Sequence, residues 1–176
     1  MKLVRQVMAA LLAATTTAAA AGCANKGLDV PSTFCGAPVK QSALSPLLPD
    51  GDDLKSQQTE PAPSEIDCSL HIDGVQVLDT LIRRIDEPLS PEDWTTALSK
   101  YDKASKRSVS FPGTAVIGSD GARVTAKCEG GESNFLLFNI TFDGNRVENS
   151  QAGVVKLQHF LEDYVPAMAQ RLDCTT

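Results

Sequence analysis

The sequence has five cysteines and two histidines, yet no C-x-x-C pair and no H-x-x-x-H pair. Structural zinc sites draw on such closely spaced ligands and thiol redox sites on C-x-x-C, so neither chemistry is expected. The serines lack a nucleophile-elbow pattern. The glycine-bearing run from Phe111 to Gly121 has neither the spacing nor the lysine of a phosphate loop, so its glycines suit turns and close strand packing. Asp50, Asp52 and Asp53 crowd one stretch without the spacing or the closing glutamate of a calcium loop, and read as solvated surface. Basic residues are the minority, 16 against 22 acidic, for a formal net charge of −6. That balance argues against nucleic acid, which is held by Lys and Arg neutralising phosphates, and against a basic patch on anionic lipid. His71 alternates with the apolar face of a strand, and His159 has Glu162 and Asp163 one helical turn on, as solvated faces often do. Neither shows the second group a general base needs, so no catalytic residue and no cofactor are expected. No repeat of 20 to 50 residues stands out.

Long apolar runs are missing too. Lys2 and Arg5 precede a short stretch, Val7 to Ala14, and then the small residues Ala18 to Gly22. This is the order of an export signal, and it falls short of the roughly 20 strongly apolar residues that a spanning helix needs. Ala20-Ala21-Gly22-Cys23 resembles the lipobox of bacterial lipoproteins, with alanine at Ala20 where leucine is usual. That resemblance implies cleavage before Cys23 and a diacylglycerol on its sulfur. The alternative is an ordinary secretory cut that leaves Cys23 unpaired, but an odd cysteine in an exported chain needs an explanation, and lipidation supplies one. Removing the first 22 of 176 residues leaves 154, and losing Lys2 and Arg5 takes the charge from −6 to −8. Membrane association would then rest on the acyl chains. The expected organisation is a signal peptide over 1–22, a polar tether over 23–33 and one domain over 34–176.

Four cysteines remain, Cys35, Cys68, Cys128 and Cys174. Exported compartments are oxidising, so two disulfides are expected, and sequence alone leaves three pairings open. Cys35 precedes a short helix and Cys68 lies in the next strand, while Cys128 ends a strand and Cys174 follows the last helix. Those positions favour Cys35–Cys68 and Cys128–Cys174.

Hydrophobic spacing supplies the elements. Ala43, Leu44, Leu47 and Leu48 mark a short helix, and Asp50 to Ser64 reads as a proline-bearing loop. Ile66, Cys68, Leu70 and Ile72 alternate with polar residues, and Asp73-Gly74 suits a type I′ turn that sets Val75 and Val77 opposite Ile72 and Leu70. Beyond Leu81 the return strand is ambiguous with a helical turn. Ser90-Pro91-Glu92-Asp93 starts a helix whose packing face is Trp94, Ala97, Leu98 and Tyr101, with Lys103, Lys106 and Arg107 complementing its far end. Taking Asp120-Gly121 as the next hairpin turn puts Ile117 opposite Val124 and Val116 opposite Thr125. Leu136, Phe138, Ile140 and Phe142 form a further strand. Asn139-Ile140-Thr141 fits a glycosylation sequon, read as chance inside a strand. Val154, Leu157, Leu161, Tyr164, Val165, Met168 and Leu172 stripe a helix from Gln151 to Leu172, which Pro166 should kink. The expected fold is α+β: a mainly antiparallel sheet of about five strands, covered on one face by helices that include the long C-terminal one.

Taken together, these residues give the chain a resemblance to the small exported lipoproteins of actinobacteria. The likeness rests on the lipobox-like residues ending at Cys23, the stretch Phe34 to Pro49, Cys68 in the next strand, and the ending Phe160 to Cys174. It implies a lipid-anchored location on the outer face of the plasma membrane and no enzyme activity. The expected function is a non-enzymatic binding or interaction domain for an envelope protein or small ligand. A sensor-like ligand-binding domain is the alternative, to be favoured by a polar-lined cleft between sheet and helices. An envelope hydrolase ranks behind both and would need His71 beside Ser or Asp in a pocket.

Overall fold

The computed structural model describes residues 28–129, 132–142 and 148–174. Cys23, the signal segment and the start of the tether lie outside the described residues. Among those described, two short strands come first, β1 (Thr33–Phe34) and β2 (Ala37–Pro38), joined by a turn in which Cys35 and Gly36 both have positive φ. A one-turn helix, α1 (Gln41–Leu44), runs into a 3-10 turn at Ser45–Leu47. Then follow β3 (Leu54–Ala62), β4 (Glu65–Ile72), β5 (Val75–Ile85), α2 (Pro91–Lys100), β6 (Ser105–Arg107), β7 (Gly113–Ile117), β8 (Gly121–Lys127), β9 (Phe135–Phe142) and α3 (Gln151–Arg171).

Seven of these strands form one antiparallel sheet in the order β3-β4-β5-β9-β8-β7-β6. The fold is thus α+β with an antiparallel sheet, but the sheet has seven strands rather than five. Both additional strands are edges. The stretch read as a loop after Asp50 contains β3, whose residues are solvent-exposed along almost its whole length. An edge strand open on both faces has no apolar side to alternate, so its sequence carries no strand signal. Pro61 is tolerated there because it falls where the register slips, between Thr59 and Ala62. At the other edge, Lys106 and Arg107 belong to β6 and not to the end of α2, which stops at Lys100.

The two hairpins repay comparison with their sequences. Asp73 and Gly74 both adopt positive φ, as a type I′ turn requires, and Ile72 pairs with Val75. A bulge then displaces Val77, so Leu70 faces Leu78 and not Val77, and both Val77 and Leu78 are buried. In the second hairpin the turn is Ser119-Asp120, one residue earlier than expected, and Ile117 pairs with Ala122. The Gly118 amide donates to the Gly121 carbonyl at 2.8 Å. Gly121 serves close approach here, not a left-handed turn: a Cβ would sit 2.5 Å from Tyr101 Cε1 and 2.6 Å from the Ile140 carbonyl. The two-residue shift keeps every side chain on its expected face.

Helices cover both faces of the sheet, where one was expected. The Ser90 hydroxyl and Asp93 carboxylate form a reciprocal capping box that starts α2. Ala97 and Tyr101 of α2 pack with Val116 on the outer face, and Arg123 ties the two layers by donating to the Asp93 carbonyl and to Asn139 Oδ1, each at 2.9 Å. The sequon asparagine is thus bonded within the fold. Burial pushes the Tyr101 pKa up to about 12, so its hydroxyl stays a donor to the Ala122 carbonyl.

On the inner face α3 runs continuously through Pro166, packed between β7–β8 on one side and β2 and α1 on the other. Enclosure on two sides explains why Phe160, outside the expected stripe, is fully buried with it. Phe34, Phe138, Phe142, Phe160 and Tyr164 form the aromatic centre. The Asp163 carboxylate accepts from the Lys40 amide at 2.7 Å and meets its ammonium at 2.6 Å. Burial works against that charge, but the Lys40 bonds, with His159 beside them, hold the carboxyl below its usual range. Val30 is buried in the same core, and Gln41 Nε2 donates to its carbonyl. The packed domain therefore includes residues assigned to the tether.

The Tyr164 hydroxyl is fully buried and has no hydrogen-bond partner among the described residues. Burial drives its pKa well above the usual tyrosine value, with the Arg171 charge pulling the other way. An unsatisfied buried hydroxyl costs stability, so Tyr164→Phe is expected to be neutral or to stabilise by about 1 kcal/mol in urea unfolding. A loss of that size would show instead that the hydroxyl has a partner, such as a buried water.

Candidate functional site

Four segments meet at one end of the sheet, where β3, β4 and β5 approach the last turn of α3. Pro63 and Ser64 turn the chain between β3 and β4, and the Arg84 amide fastens that turn to β5 by donating to the Ser64 carbonyl at 2.9 Å. Ile66 and Ile82 are direct cross-strand partners on the inner face, and Arg84 lies two residues further along the same face of β5. The helix ends above them at Arg171 and Leu172, where the chain turns towards the bond between Cys174 and Cys128. Together they enclose a half-open cleft of about 300 Å³ lined by Glu60, Pro63, Ser64, Glu65, Ile66, Ile82, Arg84, Arg171 and Leu172. Its volume sits at the lower end of the range for small-molecule pockets, roughly 300–1,000 Å³.

The charges of the lining are unevenly paired. Glu65 is spoken for, with Arg83 Nε 2.7 Å from its carboxylate. Among the described residues Arg84 forms its ion pair with the largely exposed Glu132, at 3.8 Å. Arg171 makes no ion pair among the described residues. Its guanidinium lies instead across the turn at Gly36, where a Cβ would come 2.7 Å from Nε. Gly36 is favoured here by its φ of +69°, which L side chains rarely adopt. The disulfide between Cys35 and Cys68 anchors that turn to β4, so a cation on the end of α3 is seated against a cross-linked loop. The cleft therefore has Ile66 and Ile82 at its base and, in Arg171, a guanidinium without an ion pair among the described residues.

The other candidates fall elsewhere. Cys23 lies outside the described residues, and the structure joins Cys35 to Cys68 and Cys128 to Cys174. His71 projects from the outer face of β4, where its Nε2 is 3.1 Å from Ser69 Oγ, and His159 is exposed on α3, so the fold keeps the two histidines apart. Among the described residues no three His, Cys, Asp or Glu side chains converge as a metal site would require, and no helix is long and apolar enough to cross a membrane.

Sequence reasoning missed both arginines of the cleft. Arg171 reads as an ordinary cation at a helix C-terminus. Arg84 carried a usable signal, a charge closing the inward series Leu78, Thr80, Ile82 on β5. Comparison with protein-family profiles, curated proteins and solved structures found no match for this chain.

Proposed function

We propose that this chain is an exported bacterial lipoprotein, anchored through Cys23 to the outer face of the plasma membrane, whose domain binds a small ligand without transforming it. The observation that carries the binding reading is Arg171, which lines a cleft based on Ile66 and Ile82 and has no carboxylate partner among the described residues. A cation kept available in a polar-lined cleft between sheet and helix favours recognition of a small ligand, the sensor-like use, over the docking of a protein. The anchor is supported by the lipobox-like residues and by the two cross-links, which suit an oxidising compartment.

One observation favours the hydrolase alternative, the Ser69–His71 hydrogen bond. That pair lies on the outer face and not in the cleft, away from the pocket a hydrolase would need. The exported protein tests both parts of the proposal. Its intact mass is expected to show a diacylated Cys23 and no free thiol, and an unmodified cysteine would remove the anchor. Titration with small amino acids, sugars, amines, alcohols and carboxylates, followed by amide NMR, should shift Ser64, Ile66, Ile82 and Leu172 saturably. Silence at those residues, or ester turnover abolished by Ser69→Ala, would overturn the binding reading.

A further inference from the structure

We propose that β3 is a self-association edge, pairing antiparallel with β3 of a second copy about a two-fold axis at Gln57. The pairing does not depend on the cleft or on what the cleft binds.

Successive residues of an antiparallel strand point their amide and carbonyl groups to alternate sides. The Asp53 carbonyl accepts from the Asp73 amide at 2.8 Å, and the Asp53 amide donates to Asp73 Oδ1 at 3.0 Å. Asp53 therefore faces β4, and so does every second residue after it, Lys55, Gln57 and Thr59, through the unbroken register from Leu54 to Thr59. Leu54, Ser56, Gln58 and Glu60 point theirs out of the sheet, and no backbone bond among the described residues occupies them. Residues 55–61 are exposed on both faces, so neither a helix nor a loop covers this edge. A long regular edge invites another strand unless it is broken or covered. Here the register slip and Pro61 come only after Thr59.

The strand is complementary to its own copy. Outward groups must meet outward groups, so Leu54 falls opposite Glu60 of the second copy and Ser56 opposite its Gln58, which uses all four outward residues of each strand. Moving the axis to Ser56 would set Asp52 against Glu60, like against like. Moving it to Gln58 would run the ladder into the slip at Pro61. About Gln57 no like charges are opposed. Lys55 of the second copy then lies opposite Thr59, which itself pairs with Asp67, so the three share one row on the outer face. Asp67 makes no ion pair among the described residues. Lys55 pairs with the exposed Asp53 of its own strand, a contact that contributes little by itself and leaves the ammonium able to turn to Asp67. Matched charge and matched outward groups make the second copy the occupant.

Cysteine variants of the exported protein test the register. On oxidation, Gln57→Cys is expected to give a covalent dimer, because the axis sets residue 57 against itself in a non-hydrogen-bonded pair, whose close Cα atoms suit a disulfide. Ser56→Cys and Gln58→Cys should cross-link about tenfold more slowly or not at all, since each is offset along the strand from its own copy beyond disulfide reach. Sedimentation in mild detergent tests the charges. The native protein should form a concentration-dependent dimer. Ser56→Lys combined with Gln58→Lys opposes like charges and should give a monomer with the unfolding midpoint unchanged, both residues being exposed. Ser56→Glu combined with Gln58→Lys opposes unlike charges and should restore the dimer. A native protein that stays monomeric at every concentration would overturn the proposal. Equal cross-linking of the three cysteine variants, or a monomeric Ser56→Glu, Gln58→Lys protein, would overturn it as well. So would a different envelope protein held on β3 in place of the second copy.

Discussion

Replacing Cys128 and Cys174 together by alanine is expected to lower the unfolding free energy by about 4 kcal/mol, the entropy of closing so long a loop in the unfolded chain. The bond spans 46 residues and ties the residue after β8 to Cys174, three residues beyond α3. It holds down the element that supplies one wall of the cleft, Arg171 and Leu172. The loss should appear in urea unfolding as a lower midpoint. An unfolding free energy within about 1 kcal/mol of the native value would mean that α3 is secured by packing alone, with the cross-link redundant. For a domain of ordinary stability, about 5–15 kcal/mol, the predicted loss is a large fraction of the total.

Phe160→Ala is expected to cost about 3–5 kcal/mol, the range for emptying a buried aromatic site. Phe160 is wholly buried, stacked on Tyr164 with ring centroids 5.1 Å apart and planes 12° apart, and set edge-on to Phe142 at 6.5 Å. It is the ring through which α3 reaches both the sheet and its neighbour on the helix. Enclosure on two sides leaves little room for the surroundings to collapse into the void, which places the cost towards the upper part of that range. Equilibrium unfolding with an unchanged denaturant slope would confirm a simple loss of packing. A cost below 1.5 kcal/mol would show that the segment carrying β1, β2 and α1 moves in to fill the space.

These sites illustrate where sequence was informative. Alternation was clear on β4 and β9 because each has one face in the core and the other more exposed or among polar neighbours. The start of α2 was legible because capping is local chemistry, and Ser90, Pro91 and Asp93 all lie within one turn. The pairing of the cysteines could be weighed because each lies at the end of a recognisable element. What could not be read was set by long-range contact. The edges β3 and β6 bury little, so hydrophobic spacing does not mark them. Phe160 lies off the simple stripe because α3 is covered from two directions. The turn at Ser119-Asp120 was missed because Asp120-Gly121 offers a familiar turn pair, while Gly121 is required by the ring of Tyr101, twenty residues earlier. The cleft was hidden for the same reason: it joins a β-turn, one strand end and a helix terminus that are far apart in sequence.

The burial of Val30 bears on reach. If Cys23 carries the lipid, as proposed, only Ala24, Asn25, Lys26 and Gly27 separate it from Leu28, which already packs against the domain. Five residue steps extend to at most about 18 Å, at roughly 3.3–3.6 Å each. A leash that short keeps the whole domain against the headgroup layer and allows it to tilt but not to range outward. Any ligand of the proposed anchored form would then be met at the membrane surface.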